Sequence, residues 1–138
     1  MSELVRFGVS VDEDLLERFD TLIEEEHYSN RSEAIRDLMR ENLVRREWMG
    51  HDEVAGAVTL VYDHSRRGLL NILTEIQHGY HHLIISTQHI HLNGDNCLEI
   101  VVVRGKPGEV EQLSHKLKSV KGVKHCSLTM TTTGDYLK

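Results

Sequence analysis

Apolar and polar positions alternate with two different periods along this chain, and each change of period marks an element. From Val5 to Val11 the alternation is strict: Val5, Phe7, Val9 and Val11 take one face of a predicted strand, Arg6, Gly8 and Ser10 the other. Asp12-Glu13-Asp14 then opens a helix with Leu15, Leu16, Phe19, Leu22 and Ile23 on its apolar stripe. His27-Tyr28-Ser29 breaks it. Asn30-Arg31-Ser32-Glu33 is a capping-box pattern, with Asn30 as N-cap and Glu33 at the third helical position. The second helix carries Ala34, Ile35, Leu38, Met39 and Leu43 at helical spacing.

One strand and two helices cannot bury their own apolar faces, and a lone strand has no ladder partner. The nearest partner is the same strand from a second chain. Two copies make an antiparallel ribbon that repeats Arg6, Gly8 and Ser10 on its exposed face. Such a ribbon fits the major groove of DNA, where Arg reaches guanine and hydroxyls meet either base. The amides at the start of the second helix, beside Arg31 and Arg36, suit a phosphate. The plainer alternative is a dimerisation arm with Arg6 merely solvated.

Arg45-Arg46-Glu47-Trp48-Met49-Gly50-His51-Asp52 reads as a boundary, giving a first domain over 1–47 and a second over 53–138. Beyond it the pattern predicts strand 54–62, helix 65–79, strand 82–92, strand 97–104, helix 107–119 and strand 122–131. Gly105-Lys106-Pro107-Gly108 turns into the last helix and Lys121-Gly122 closes it. The βαββαβ order is a ferredoxin-like split βαβ unit, making the chain α+β. That fold hosts many functions and decides none of them.

Candidate chemistry concentrates on one hairpin. Five of the ten histidines fall within residues 78–91, and Cys97 follows six residues later. Thr87 to Leu92 reads as strand, so His89 and His91 share a face, their Cα atoms roughly 6.5 Å apart. Asn93-Gly94-Asp95-Asn96 is a hairpin signal, and Cys97-Leu98-Glu99-Ile100 returns. With an odd-length loop, closed by Gly94 or an Asn in the left-handed region, Cys97 pairs with His91 and Glu99 lies opposite His89. With an even loop Cys97 falls on the other face and the site is lost. A lone strand histidine is ordinarily half exposed, and a lone cysteine is ordinarily a small core hydrophobe. Their conjunction on one hairpin face points to a metal. His78, eleven residues before His89, is a further candidate ligand that local geometry does not place.

Composition adds limits. No stretch approaches the ~18 apolar residues of a membrane span, and no signal peptide opens the chain, so the expected location is the reducing cytoplasm, without a membrane partner. Two cysteines there are not expected to form a disulfide, and Cys126 is expected to be structural. Residues 1–50 hold seven Lys/Arg against thirteen Asp/Glu, while the remainder balances at nine of each. An acidic first half leaves DNA contact to a local patch, with weak non-specific attraction.

The arginine-bearing first strand, the run Asn30-Arg31-Ser32-Glu33-Ala34-Ile35-Arg36-Asp37, and Gln77-His78 followed by His89-x-His91-x₅-Cys97-Leu98-Glu99 resemble the nickel-responsive regulators of the NikR family. The similarity runs through essentially the whole chain in order. It implies a ribbon-helix-helix DNA-binding domain joined to a tetramerising, ACT-like metal-sensing domain. By position, His89, His91 and Cys97 would be nickel ligands from one subunit and His78 the fourth, reaching from a neighbour, with one Ni(II) per subunit. Gln77 and Glu99 would orient ligand imidazoles. Arg6 and Ser10 would read operator bases, and Arg66 and Arg67 would touch backbone phosphate. Glu33 and Asp37 match a cation site of the family; read alone they are an acidic pair on a solvated helix face. Gly8 stands where relatives usually carry Ser or Thr, so one base-reading hydroxyl is missing. His64, His81 and His82 are open as either exposed residues or extra metal ligands.

The donor types alone suit late divalent metals, nickel below copper and zinc after it; the choice of nickel rests on the resemblance. The expected function is a nickel-dependent repressor of nickel uptake, not an enzyme. The alternatives are a metalloenzyme using the same cluster and a ribbon-helix-helix repressor whose metal is structural. An enzyme would need an open coordination position and a poised acid or base. No Gly-rich phosphate loop, nucleophile triad or HExxH pattern accompanies the cluster.

Overall fold

The computed structural model describes residues 2–137. The chain divides into a compact unit running through Leu43 and another spanning Val44–Tyr136.

Helix α1 covers Glu13–Glu25 in the first unit and is followed by α2, Arg31–Glu47, whose residues from Val44 on are counted in the second. The break between them has a specific chemistry. His27 adopts φ 62, and the amides of His27 and Tyr28 turn back onto the carbonyls of Glu24 and Ile23. This is a Schellman closure with histidine where glycine is usual. Asn30 caps α2 as predicted, its Oδ1 accepting the Glu33 amide at 2.9 Å. The reciprocal half of the capping box is replaced: Glu33 pairs with Arg36 at 2.5 Å.

The predicted strand over Val5–Val11 is not present within the chain; residues 2–12 join no ladder. A strand is stable only when its backbone groups are paired. Val5, Phe7, Val9 and Val11 are accordingly all exposed, Val5 at 81%. Leu15, Leu22, Leu38, Met39 and Leu43 are exposed as well, leaving Ile23 and Ala34 as the buried apolar residues among the described residues of this unit.

The second unit runs β1 (Val54–Asp63), α3 (Leu69–Gly79), β2 (Ile84–His91), β3 (Asn96–Gly105), α4 (Pro107–Lys118) and β4 (Val123–Met130). The sheet order is β2-β3-β1-β4 with every neighbour antiparallel, the expected split βαβ arrangement. α3 begins four residues later than its apolar pattern suggested. Asp63 Oδ1 accepts hydrogen bonds from the Ser65 amide and hydroxyl, and Gly68 sits at φ 80, so the intervening backbone is a turn. Arg66 and Arg67 therefore lie in that turn rather than on the helix.

One sheet face is covered by the helices. Val54, Val58, Leu60 and Tyr62 from β1 and Cys97, Val101 and Val103 from β3 pack with Leu69, Leu73, Val110, Leu113 and Leu117. Each such side chain contributes about 1.5–3 kcal/mol on burial. The opposite face, with Ala57, Thr59, Val61, Leu98, Ile100 and Val102, is only half-buried. An apolar run such as Ile100-Val101-Val102-Val103 is the pattern of a strand covered on both sides.

Trp48 lies in this core, its indole N–H donating to the Thr131 carbonyl at 2.8 Å. The residue it packs over is Gly56, where a Cβ would meet the Thr129 oxygen at 2.9 Å and the Trp48 ring at 3.3 Å. Gly56→Ala is expected to destabilise the domain by about 1–3 kcal/mol, because the nearest obstacle is backbone and cannot rotate away. Thermal melting checks this, and an unchanged midpoint would refute the tight fit.

Candidate metal centre

The hairpin register is the odd-loop one: His91 pairs with Cys97 and His89 with Glu99. The loop closes with Leu92 donating to Asn96 at 2.9 Å. No loop residue is left-handed, contrary to expectation; positive φ occurs among the described residues at His27, Gly68, Gly122 and Gly134. Asn93 does the work instead, its Oδ1 accepting the amides of Asp95 at 3.0 Å and Asn96 at 2.9 Å. A side-chain acceptor two residues back can close a turn without positive φ.

Strand alternation then points Cys97 and Glu99 into the helix-covered face and leaves His89 and His91 exposed at its rim. Cys97 Sγ lies 3.4 Å from His91 Nδ1, and the His89 and His91 ring centres are 5.3 Å apart. β1 contributes two residues beside them. Tyr62 pairs directly with Cys97 in the β1–β3 ladder, and its hydroxyl lies 3.2 Å from His89 Nδ1. His64 follows the strand, and the ligand atoms of His64, His91 and Cys97 all fall within 4.8 Å of one another.

Electrostatics suit a cation. Burial pushes the Cys97 thiol above its ordinary range, and the negative charges of Glu99 and Asp63 push it further. The Tyr62 hydroxyl is raised too, first by burial and then by Glu99 and Cys97. A dication would counter these effects, since it favours the thiolate and complements the buried Glu99. The donor chemistry and the buried carboxylate therefore fit a late divalent metal.

The other predicted residues are placed as follows. Glu99 accepts from Gln77 Nε2 at 3.3 Å, and Gln77 Oε1 accepts from Thr87 at 3.3 Å, so these two brace β2 and β3 against α3. His78 is on α3 with its ring 6.0 Å from that of His81, and the chain does not itself bring it to the cluster. His82 and His81 are exposed, with His82 Nε2 3.9 Å from Glu109. Arg6, Gly8 and Ser10 are exposed in the segment before α1. Arg31 forks onto Asp20 at 2.9 and 2.8 Å, which holds the Asp20 carboxyl below its usual range. Asp37 accepts the Tyr28 hydroxyl, a bond that pushes Tyr28 up to about 12, while Glu33 is with Arg36. Tyr62 escaped sequence reasoning because its neighbours come from a strand 35 residues away in sequence, though its place two residues before His64 at a strand end was a usable signal.

The two units thus combine a two-helix segment, preceded by an exposed stretch of alternating apolar and polar residues, and a βαββαβ domain with a His/Cys patch. That is the make-up of a metal-sensing DNA-binding regulator. Residues 5–46 match the family described as ribbon-helix-helix protein, copG family, and residues 55–131 match the NikR C terminal nickel binding domain. A protein of Geobacter sulfurreducens is 58% identical over 138 residues, covering 99% of both chains. One of Syntrophus aciditrophicus is 55% identical over 134 residues, covering 97% of this chain and 98% of that one. One of Thermococcus onnurineus is 53% identical over 133 residues and 96% of each. All three bear the name "Putative nickel-responsive regulator". An uncharacterized protein from Thermotoga maritima is similar in fold over 56% of this chain and 96% of that one, with a TM-score of 0.52 at 16% identity. The chain belongs to the nickel-responsive regulators of the NikR family. It is a nickel-binding transcriptional regulator and not an enzyme.

Proposed function

We propose that this protein represses nickel uptake by binding operator DNA when it carries nickel. The observation that carries the reading is the β2–β3 register, which gathers His89, His91 and Cys97 onto one patch of a nickel-binding domain. These three would hold one Ni(II) per subunit, with His78 of a partner subunit as the fourth ligand. When bound, nickel would link the two subunits that supply these ligands. The protein's own part is to position the ligands: Tyr62 meets His89 Nδ1, leaving Nε2 for the metal, and Glu99 supplies the compensating charge.

Coupling follows from linkage. If the bridged arrangement favours the operator, operator DNA must tighten nickel binding by the same factor. Arg6, Gly8 and Ser10 would face bases from a two-chain ribbon. Arg31, Arg36, Arg66 and Arg67 would face phosphates, with Glu33 and Asp37 as a second cation site once released from Arg36 and Tyr28. Repression would take place in the cytoplasm, where Cys97 and Cys126 remain the free thiols they are here. Among the described residues no helix is long and apolar enough to cross a membrane.

Operator-fragment binding with and without Ni(II), Cu(II), Zn(II) and Co(II) tests the function. Specific binding that requires nickel supports it. Equal binding by folded, metal-free protein would reduce the metal to a structural role and overturn it.

The assembly is expected to be a tetramer: dimers through the N-terminal strands, joined through the second domains. Support comes from the exposed Val5, Phe7 and Val9 and from the half-buried outer face of the sheet. Light scattering at micromolar concentration should report four chains. A stable monomer that still binds operator DNA would refute both the ribbon and the shared metal.

A further inference from the structure

We propose that Tyr80, gripped by Lys116 of α4, is a positioning residue for nickel: it fixes the last turn of α3 and so presents His78 to a neighbouring subunit. This deepens the proposed function and rests on His78 being the fourth ligand.

The helix by itself gives His78 little support. α3 turns its apolar residues inward at Leu73, Ile76 and Tyr80, the spacing of a buried helical stripe. His78 stands two residues from both Ile76 and Tyr80, about 200° around the helix, and is accordingly exposed. Gly79 follows it directly. A glycine loses more backbone freedom on ordering than any other residue, so this turn is intrinsically weak. Gln77 reaches Glu99 and Thr87 through bonds of 3.3 Å each, at the long end of the range. Beyond His78 the turn is tied to the core by its C-cap residue, Tyr80, whose ring is half-buried.

Two neighbours hold that ring. Lys116 sets its Nζ over the face, 5.2 Å from the centroid, within the reach of a cation–π contact. His82 stacks on it at 18° with centroids 6.4 Å apart, and its Nε2 lies 3.9 Å from Glu109 on α4. The end of α3 is thereby fastened to α4, whose Val110, Leu113 and Leu117 are fully buried. Backbone bonds carry the fixation to His78. The Tyr80 amide donates to the Gln77 carbonyl at 3.0 Å and the His81 amide to the His78 carbonyl at 3.3 Å. His81 Nδ1 lies 3.0 Å from the same His78 carbonyl. A ligand that must reach out of its own chain binds more weakly when its backbone wanders, and holding the turn removes that loss.

The test compares the full-length protein with Tyr80→Leu, Tyr80→Phe, Lys116→Gln and His78→Ala by two readouts. The first needs no metal: hydrogen exchange at the amides of Tyr80, His81 and Leu83, all bonded to carbonyls of this turn. Exchange should quicken about tenfold in Tyr80→Leu and about threefold in Lys116→Gln, while Tyr80→Phe keeps the original rate. Lys116 is exposed, so that arm does not depend on refilling the core. The second readout is nickel affinity by chelator competition, expected to fall about tenfold in Tyr80→Leu and to be retained in Tyr80→Phe. In a His78→Ala background, Tyr80→Leu should cost less than about twofold more, because the ring acts through His78. Unchanged exchange in both Tyr80→Leu and Lys116→Gln would overturn the positioning role, as would unchanged nickel affinity in Tyr80→Leu. A nickel loss as large without His78 as with it would overturn it too, by making the ring a support of the fold in general. Failure of the underlying reading is distinct: nickel affinity indifferent to His78→Ala removes the fourth ligand, and the positioning role with it.

Discussion

Cys97→Ala is expected to abolish tight nickel binding while leaving the domain folded. A four-ligand site of this kind is worth about 10–16 kcal/mol, so removing one ligand should cost on the order of 3–4 kcal/mol, a loss of 100-fold or more. The substitution removes one sulfur from a fully buried position and leaves a small void, costing about 1 kcal/mol of stability. His89→Ala should lose nickel comparably with less effect on the core, because His89 is exposed. Binding should also depend on pH with a defined sign. The Cys97 thiol is pushed above its ordinary range by burial, then by Glu99 and Asp63, so the metal-free protein holds it protonated. Ligation requires the thiolate, so binding releases that proton, and affinity rises about tenfold per pH unit until the raised thiol pKa is reached. Chelator competition at several pH values measures both effects. Unchanged affinity in Cys97→Ala would remove the hairpin cluster from the nickel site.

Arg6→Ala is expected to destroy operator discrimination while nickel binding to the free protein survives. Arg6 is exposed on the polar side of the Val5–Val11 alternation, next to Gly8, which brings no hydroxyl. It should therefore carry much of the base reading, and a bidentate arginine–guanine contact is worth about 1–3 kcal/mol. A ribbon contains two copies, so equivalent half-sites double the loss. The acidic first fifty residues provide little non-specific attraction in compensation. Binding is compared on operator and scrambled DNA at fixed salt with nickel present. Equal weakening on both would leave Arg6 a phosphate contact and end the base-reading role.

Much of this was legible in the order of residues, because the informative features are local and periodic. A period of two puts His89 and His91 on one face wherever the strand lies, and an odd loop carries Cys97 to the same face. The βαββαβ sequence of patterns and the break at His27-Tyr28-Ser29 were equally readable, since turn and cap chemistry acts over a few residues. Where local rules competed, the reading slipped. The loop used the Asn93 side chain rather than a left-handed residue, and the Asp63 turn with Gly68 delayed α3 to Leu69.

What the sequence by itself determined, then, is which side chains share a face within each element, His89 and His91 among them; the hairpin register added Cys97. The tertiary structure alone decided which elements lie side by side. The β1–β3 register sets Tyr62 opposite Cys97 and delivers His64 to the hairpin loop, while Gln77 of α3 reaches Glu99. Trp48, read as part of a boundary, became core because Gly56 left room for its ring. The physical reason is range: alternation and capping are set by neighbouring backbone geometry, whereas register between distant strands is selected by burial of the whole apolar face at once.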